Sequence, residues 1–490
     1  MTSIFPPGPL TSPPPVYDAS ERPDQNNDTE LPAYTSGGAI SSGRVVPLNF
    51  SPLDLTEHVE RYLTDAGAPL PKREYTYELV KGKEKDRKKP WAFLTVLGDS
   101  TVSLSKGIPT IVEGEKVEGE VKIDLDSAEA CQAVIVSVRG QIIGGAQNSD
   151  VLTFLELPKV LWSASPNPLS STSKAANLLP GPKQKSNKLQ QGSHSWPFSI
   201  DLPKEVALTV GPKDAPKVEV YRLPQSFFER HARARVHYEV TVRFVRGLLK
   251  TDWRLSTQFA YVPITISPSP SPLRVLAYQE NTPLLGPEAD PTGWVTLDPV
   301  AIYGRTETKE VDIRIILSIA SPLSYARGSV IPLVLTVQCK DARALEQLST
   351  PRSIVLRLRR RLRYHSDDHK PPESYPWTDE HEHSELALWW PETLTRYLKG
   401  EIHLQTDWKP TTVMPRFRVE YSVVLLPPDV VGFQFETSST SRGELLEQPV
   451  EITTAFAPGP RPRMYAPPQY ESGFPGATVS EGRYTMNQIF

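Results

Sequence analysis

Strict alternation over thirteen residues fixes what this chain builds. In ARARVHYEVTVRF, Ala234, Val236, Tyr238, Val240, Val242 and Phe244 stand opposite Arg233, Arg235, His237, Glu239, Thr241 and Arg243. A period of two puts each set on its own face of a half-buried antiparallel strand. The pattern recurs in VEGEVKIDL, where Val117, Gly119, Val121, Ile123 and Leu125 oppose Glu118, Glu120, Lys122 and Asp124, and again at Val134, Val136 and Val138. VDIRIILSI, SVIPLVLTVQC, SIVLRLRRRLRY and RFRVEYSVVLL carry strand patterning through the second half. Short strands broken by Gly and Pro without a βαβ rhythm predict an all-β protein of two tandem β-sandwiches. One helix is expected, at 52–63, from the spacing of Leu55, Val59, Tyr62 and Leu63.

The 50 prolines among 490 residues are about twice average usage, and they concentrate outside the alternating segments. Residues 1–50 and 438–490 read as disordered Pro-rich arms, too poor in apolar pattern to offset the entropy of ordering. Residues 51–89 read as the short helix and a basic linker, and 90–264 as the first sandwich with a mobile polar insertion at 163–195. A Pro/Ser link spans 265–290, and the second sandwich spans 291–437 with an insertion at 366–384. Within the link, Ser267, Ser269 and Ser271 each precede proline and are candidates for phosphorylation on an extended spacer.

With Lys and Arg numbering 54 against 57 Asp and Glu, the net charge of −3 gives no field suited to nucleic acid. Cys131 and Cys339, the two cysteines, lack metal-ligand spacing and read as small apolar strand residues in a reducing compartment. The opening MTSIFPPGPL has no signal-peptide pattern and no apolar run reaches the ~18 residues of a membrane helix, so a cytoplasmic protein is expected.

Each arm carries a Pro-Pro-x-Tyr tetrapeptide: Pro14, Pro15 and Tyr17 in SPPPVYD, and Pro467, Pro468 and Tyr470 in APPQYES. Paired prolines preset an extended left-handed helix that docks on an aromatic groove at little entropic cost, while the tyrosine fills a neighbouring pocket; this is a WW-domain ligand. With 50 prolines and 18 tyrosines in the chain, about 0.2 matches arise by chance. Leu31, Pro32 and Tyr34 form a weaker variant. Basic side chains gather on two strands. Arg357, Arg359, Arg361 and Arg363 share one face, with Arg360 on the apolar side, and Arg233, Arg235 and Arg243 form a second row. The rows read either as solvated sheet faces or as platforms for acidic tails of membrane proteins or anionic lipid headgroups. His365, His369, His381 and His383 lie among acidic residues in a polar insertion without the scaffold that a metal site needs. No nucleophile or phosphate-loop motif is present, so neither cofactor nor catalysis is expected.

The segments IVEGEKVEGEVKIDL, AVIVSVRGQI, HSWPFSIDLP and VHYEVTVRFVRG resemble an arrestin N-domain. SPLSYARGSVIPLVLTVQCKDARAL and GEIHLQTDWKPTTVMPRFRVEYSVVLLP resemble an arrestin C-domain. From about residue 90 to 435 the chain is similar to the fungal α-arrestins. The resemblance implies a non-catalytic adaptor that recruits a HECT-type ubiquitin ligase through WW domains to membrane-protein tails, at the plasma membrane or endosomes. The alternative is a trafficking scaffold independent of ubiquitin, resembling the arrestin-fold subunit of retromer. The buried charged cluster that visual and β-arrestins use as a latch has no counterpart legible in the sequence.

Overall fold

The computed structural model describes residues 72–80, 90–99, 108–144, 150–164, 188–211, 214–230, 232–246, 250–305, 309–364, 379–386, 388–391, 397–428, 430, 432–435 and 444–467. The helix expected at 52–63 lies outside them.

The alternation read from the sequence is the alternation that is buried. Along Arg235–Val245 the residues Val236, Tyr238, Val240, Val242 and Phe244 are all inside. Val117, Val121, Ile123 and Leu125 are inside on Lys116–Leu125. Gly119 has no room for a side chain, because a Cβ there would lie 2.0 Å from the Thr95 carbonyl oxygen.

Two sheets make the first sandwich. One runs Lys72–Val80, Pro90–Asp99, Lys116–Leu125, Gly192–Asp201. The other runs Thr110–Val112, Trp253–Val262, Arg235–Val245, Ala133–Gly144, Asp150–Ser163, with Phe227–Phe228 paired to Arg235–Val245. In the second sandwich one sheet runs Leu388–Pro391, Tyr397–His403, Val330–Cys339, Glu310–Ala320, Val300–Arg305, Gln434–Phe435. The other runs Ser324–Ala326, Leu446–Thr453, Phe417–Leu425, Leu356–Tyr364, Asp379–Leu386. Buried side chains from all four sheets form one continuous core.

Four expected boundaries move. Residues 72–80, expected in a linker, form a strand against Pro90–Asp99. The first insertion ends earlier than expected, since Lys188–Leu189 pairs with Glu129–Ala130 and Gly192–Asp201 with Lys116–Leu125. Asp379–Leu386, placed mostly in the second insertion, pairs along Leu356–Tyr364. Leu446–Thr453, expected in the C-terminal arm, is an inner strand of the second sandwich.

The link is also ordered. Ser271 caps a helix over Pro272–Glu280, its hydroxyl accepting from the Arg274 amide and donating to Asp290, with Pro272 at the first turn, where its missing N–H costs nothing. Ser267 is buried and its amide bonds to the Ala455 carbonyl, which leaves Ser269 as the exposed one of the three serines. Thr265 and Thr454 exchange amide-to-hydroxyl bonds of 2.8 and 2.9 Å, tying the link to the end of the last strand. A second unforeseen helix, Ala342–Leu348, is capped by Asp341.

Candidate functional site

The arginine strand Leu356–Tyr364 lies between Phe417–Leu425 and Asp379–Leu386. Arg357, Arg359, Arg361 and Arg363 share a face as the alternation requires, but that face is not a free row of cations. Arg359 is only 6% exposed and pairs with Glu444 and, at 3.7 Å, with Glu447. Arg361 reaches the same Glu447 at 3.7 Å, and Arg363 reaches Glu420 at 3.6 Å. Arg357 is half-buried. The row is not exposed as expected, because Glu420 on Phe417–Leu425, Glu444, and Glu447 on Leu446–Thr453 bring carboxylates over it. In the first sandwich Arg233 and Arg243 are exposed, and Arg235 is half-buried, its pKa pushed down by desolvation.

Arg360, on the inner side of that strand, meets a partner from the other sandwich. Its two terminal nitrogens donate to both oxygens of Glu229 at 2.8 and 2.7 Å, a bidentate pair between chain positions 131 apart. Around this pair Phe227 and Phe417 stack edge to face at 4.9 Å, and the Arg233 amide donates to the Tyr364 hydroxyl at 3.1 Å. Behind it lies Arg327, fully buried, whose Nη1 donates to the Trp408 carbonyl at 3.3 Å. Among the described residues its Nε and Nη2 have no hydrogen-bond partner. Burial pushes its pKa down to about 10. Lys409, 7% exposed, is pushed down to about 7, by burial first and by the Arg327 charge second. Its carbonyl accepts the Tyr421 hydroxyl at 2.6 Å. The junction of the sandwiches therefore holds a buried, cation-rich cluster, the feature the sequence reading did not find. Arg360 on an apolar face was its one visible sign.

Glu113, 4% exposed, is a second anchor at the end of the first sandwich: it accepts from Arg222 at 2.8 Å and from the Ile264 amide at 3.1 Å, where the link begins. Residues 101–263 match the family model of the arrestin (or S-antigen) N-terminal domain. The chain is arrestin-like. The arrestin-like match stops one residue after the strand Trp253–Val262, where the first sandwich is complete. No curated protein matches the chain.

Of the WW-ligand residues, Pro14, Pro15, Tyr17, Leu31, Pro32, Tyr34, Pro468 and Tyr470 lie outside the described residues; Pro467, half-buried, is the last described. His365 and His369 also lie outside. Among the described residues no three His, Cys, Asp or Glu side chains are grouped to hold a metal, and no helix is long and apolar enough to cross a membrane.

Proposed function

We propose that this arrestin-like chain is a non-catalytic trafficking adaptor that brings a WW-domain HECT ubiquitin ligase to the cytoplasmic tails of membrane proteins at the plasma membrane or endosomes. The observation that carries this reading is the pair of Pro-Pro-x-Tyr motifs, at 14–17 and 467–470, on either side of the sandwiches. The arrestin N-terminal match supports the adaptor role in general. In such a protein the chemistry belongs to the recruited enzyme, and the adaptor supplies proximity between ligase and cargo lysines. Two weak motifs on one chain gain avidity when a tandem WW fragment engages both. For cargo or lipid contact the exposed Arg233 and the partly exposed Arg357 and Arg363 are the candidates, whereas Arg359 is taken up by Glu444 and Glu447.

The test is a pull-down with a tandem WW fragment. Tyr17→Ala or Tyr470→Ala alone should weaken capture, and the double variant should lower it at least tenfold beyond either single. Undiminished capture by the double variant would sink the ligase reading.

A further inference from the structure

After the strand Leu446–Thr453 the chain runs beside the link, where Ile266 and Ala455 form a parallel bridge, and then reaches the helix Pro272–Glu280. There Arg463 Nε donates to the Tyr278 carbonyl at 2.7 Å, and the Tyr465 ring stacks on Tyr278 with an interplanar angle of 17°. Glu401, 1% exposed on the strand Tyr397–His403, clasps the returning strap by accepting the Tyr465 amide at 2.7 Å and the Ala466 amide at 3.3 Å. Between the link, the second sandwich and this strap lies a cavity of about 50 Å³, room for more than one water-sized group. Pro270 of the link, Pro332 of the strand Val330–Cys339 and Pro460 of the strap each give it an apolar ring.

Some of its polar groups are already engaged. Ser324 Oγ donates to Glu451, Ser329 Oγ to the Ala326 carbonyl and the Tyr325 hydroxyl to the Ala320 carbonyl. Ser267 and Tyr278 are not: they line the cavity at 9% and 2% exposure, and among the described residues neither hydroxyl has a hydrogen-bond partner. Burying an unpaired hydroxyl is unfavourable, so two of them facing one cavity suit a ligand that accepts. Burial pushes the Tyr278 phenol up, which keeps it a donor at neutral pH. Arg274, 5% exposed and in the same lining, donates from Nη1 to the Ser321 carbonyl at 2.8 Å and from Nη2 to the Gly293 carbonyl. Among the described residues no carboxylate forms an ion pair with it, and the nearby Asp290 is committed to Ser271, Thr292 and the Gly293 amide. A buried guanidinium held only by neutral carbonyls favours an anion beside it.

We infer that this cavity binds a short monocarboxylate of about two to four carbons, its carboxylate accepting from the Tyr278 and Ser267 hydroxyls beside the Arg274 charge and its carbon chain lying against the proline rings. A ligand held there touches link, sandwich and strap at once and fastens the strap in place. The inference is independent of the ligase reading.

The experiment titrates propionate into the full chain at constant pH and ionic strength, with propionamide as its uncharged match, and follows binding by saturation-transfer NMR. Propionate should saturate at about millimolar concentration, as a ligand of that size allows, and propionamide should bind at least about tenfold more weakly. Saturating propionate should also slow hydrogen exchange at the Tyr465 and Ala466 amides. Tyr278→Phe keeps the ring that stacks on Tyr465 and removes the hydroxyl alone, and it should weaken propionate about tenfold. Ala457→Leu fills the cavity from the strap side and should abolish binding while the Tyr465 and Ala466 amides stay protected. Absence of saturable propionate binding, equal binding of the amide, or binding that survives Tyr278→Phe and Ala457→Leu unchanged overturns the site.

Discussion

Two strands carry arginines at alternate positions, Arg235–Val245 in the first sandwich and Leu356–Tyr364 in the second, and they use them oppositely. In the first sandwich Arg243 stays exposed, as does Arg233 just ahead of the strand. In the second, Arg359 is buried against Glu444 and Glu447, Arg361 shares Glu447, and Arg360 crosses to Glu229 of the other sandwich. Alternation decides which face a side chain takes. What lies over that face is decided by strands far away in sequence. Arg233 and Arg243 therefore stay at the surface of one sheet, whereas Arg359 and Arg360 are taken into the fold in the other.

The largest effect that separates the two strands is expected at Arg359. Arg359→Glu sets a third carboxylate beside Glu444 and Glu447 at a buried position and should cost about 3–5 kcal/mol, lowering the melting temperature by about 10 °C. An unchanged thermal unfolding curve would return Arg359 to the surface and erase the contrast.

A smaller effect sharpens it in pH. Lys409 near Arg360 has its pKa lowered from 10.5 to about 7, so between those values the unfolded chain binds a proton that the folded chain does not. Stability contributed by the neutral amine is complete above 10.5, is lost as pH falls toward 7, and changes no further below that. The limiting slope is about 1.4 kcal/mol per pH unit. Denaturant unfolding from pH 7 to 9 should show wild type gaining stability relative to Lys409→Met; parallel profiles would mean that the amine reaches water.

The smallest effect on folding is expected at Arg233. Arg233→Glu should leave the melting temperature unchanged while weakening binding to anionic liposomes about fivefold at low salt, a difference that disappears as salt rises. Loss of folding with binding intact would make the first sandwich resemble the second.

How legible these features were follows from the distance between partners. The strands could be read because each shows its buried face within ten or so residues, as Val236 to Phe244 do. The pairs that neutralise the arginines join positions 85 and 131 apart, and no local pattern announces them. The helix Pro272–Glu280 was hidden by the SPSPSP run before it, although Ser271 followed by Pro272 was its signal. Leu446–Thr453 was missed because LEQPVEIT is half polar and contains Pro449. A proline is tolerated there because Ser324–Ala326 pairs only with Glu451–Thr453, leaving the Pro449 side of the strand open. Glu401 gave no signal at all: a lone acid in a strand becomes a clasp only when the tail folds back over it.

That late strand also sets a timetable for synthesis. Every described strand of the first sandwich has been synthesised once Val262 is added, whereas the second sandwich lacks an inner strand until Thr453 has been added. Until then the nascent chain carries Tyr421–Leu425 with one edge unpaired, the kind of edge that recruits foreign strands. A premature stop ahead of residue 446 thus produces an unfinished sandwich prone to aggregation and proteolysis, and its cellular phenotype would report the lost strand before it reported the lost tyrosine motif.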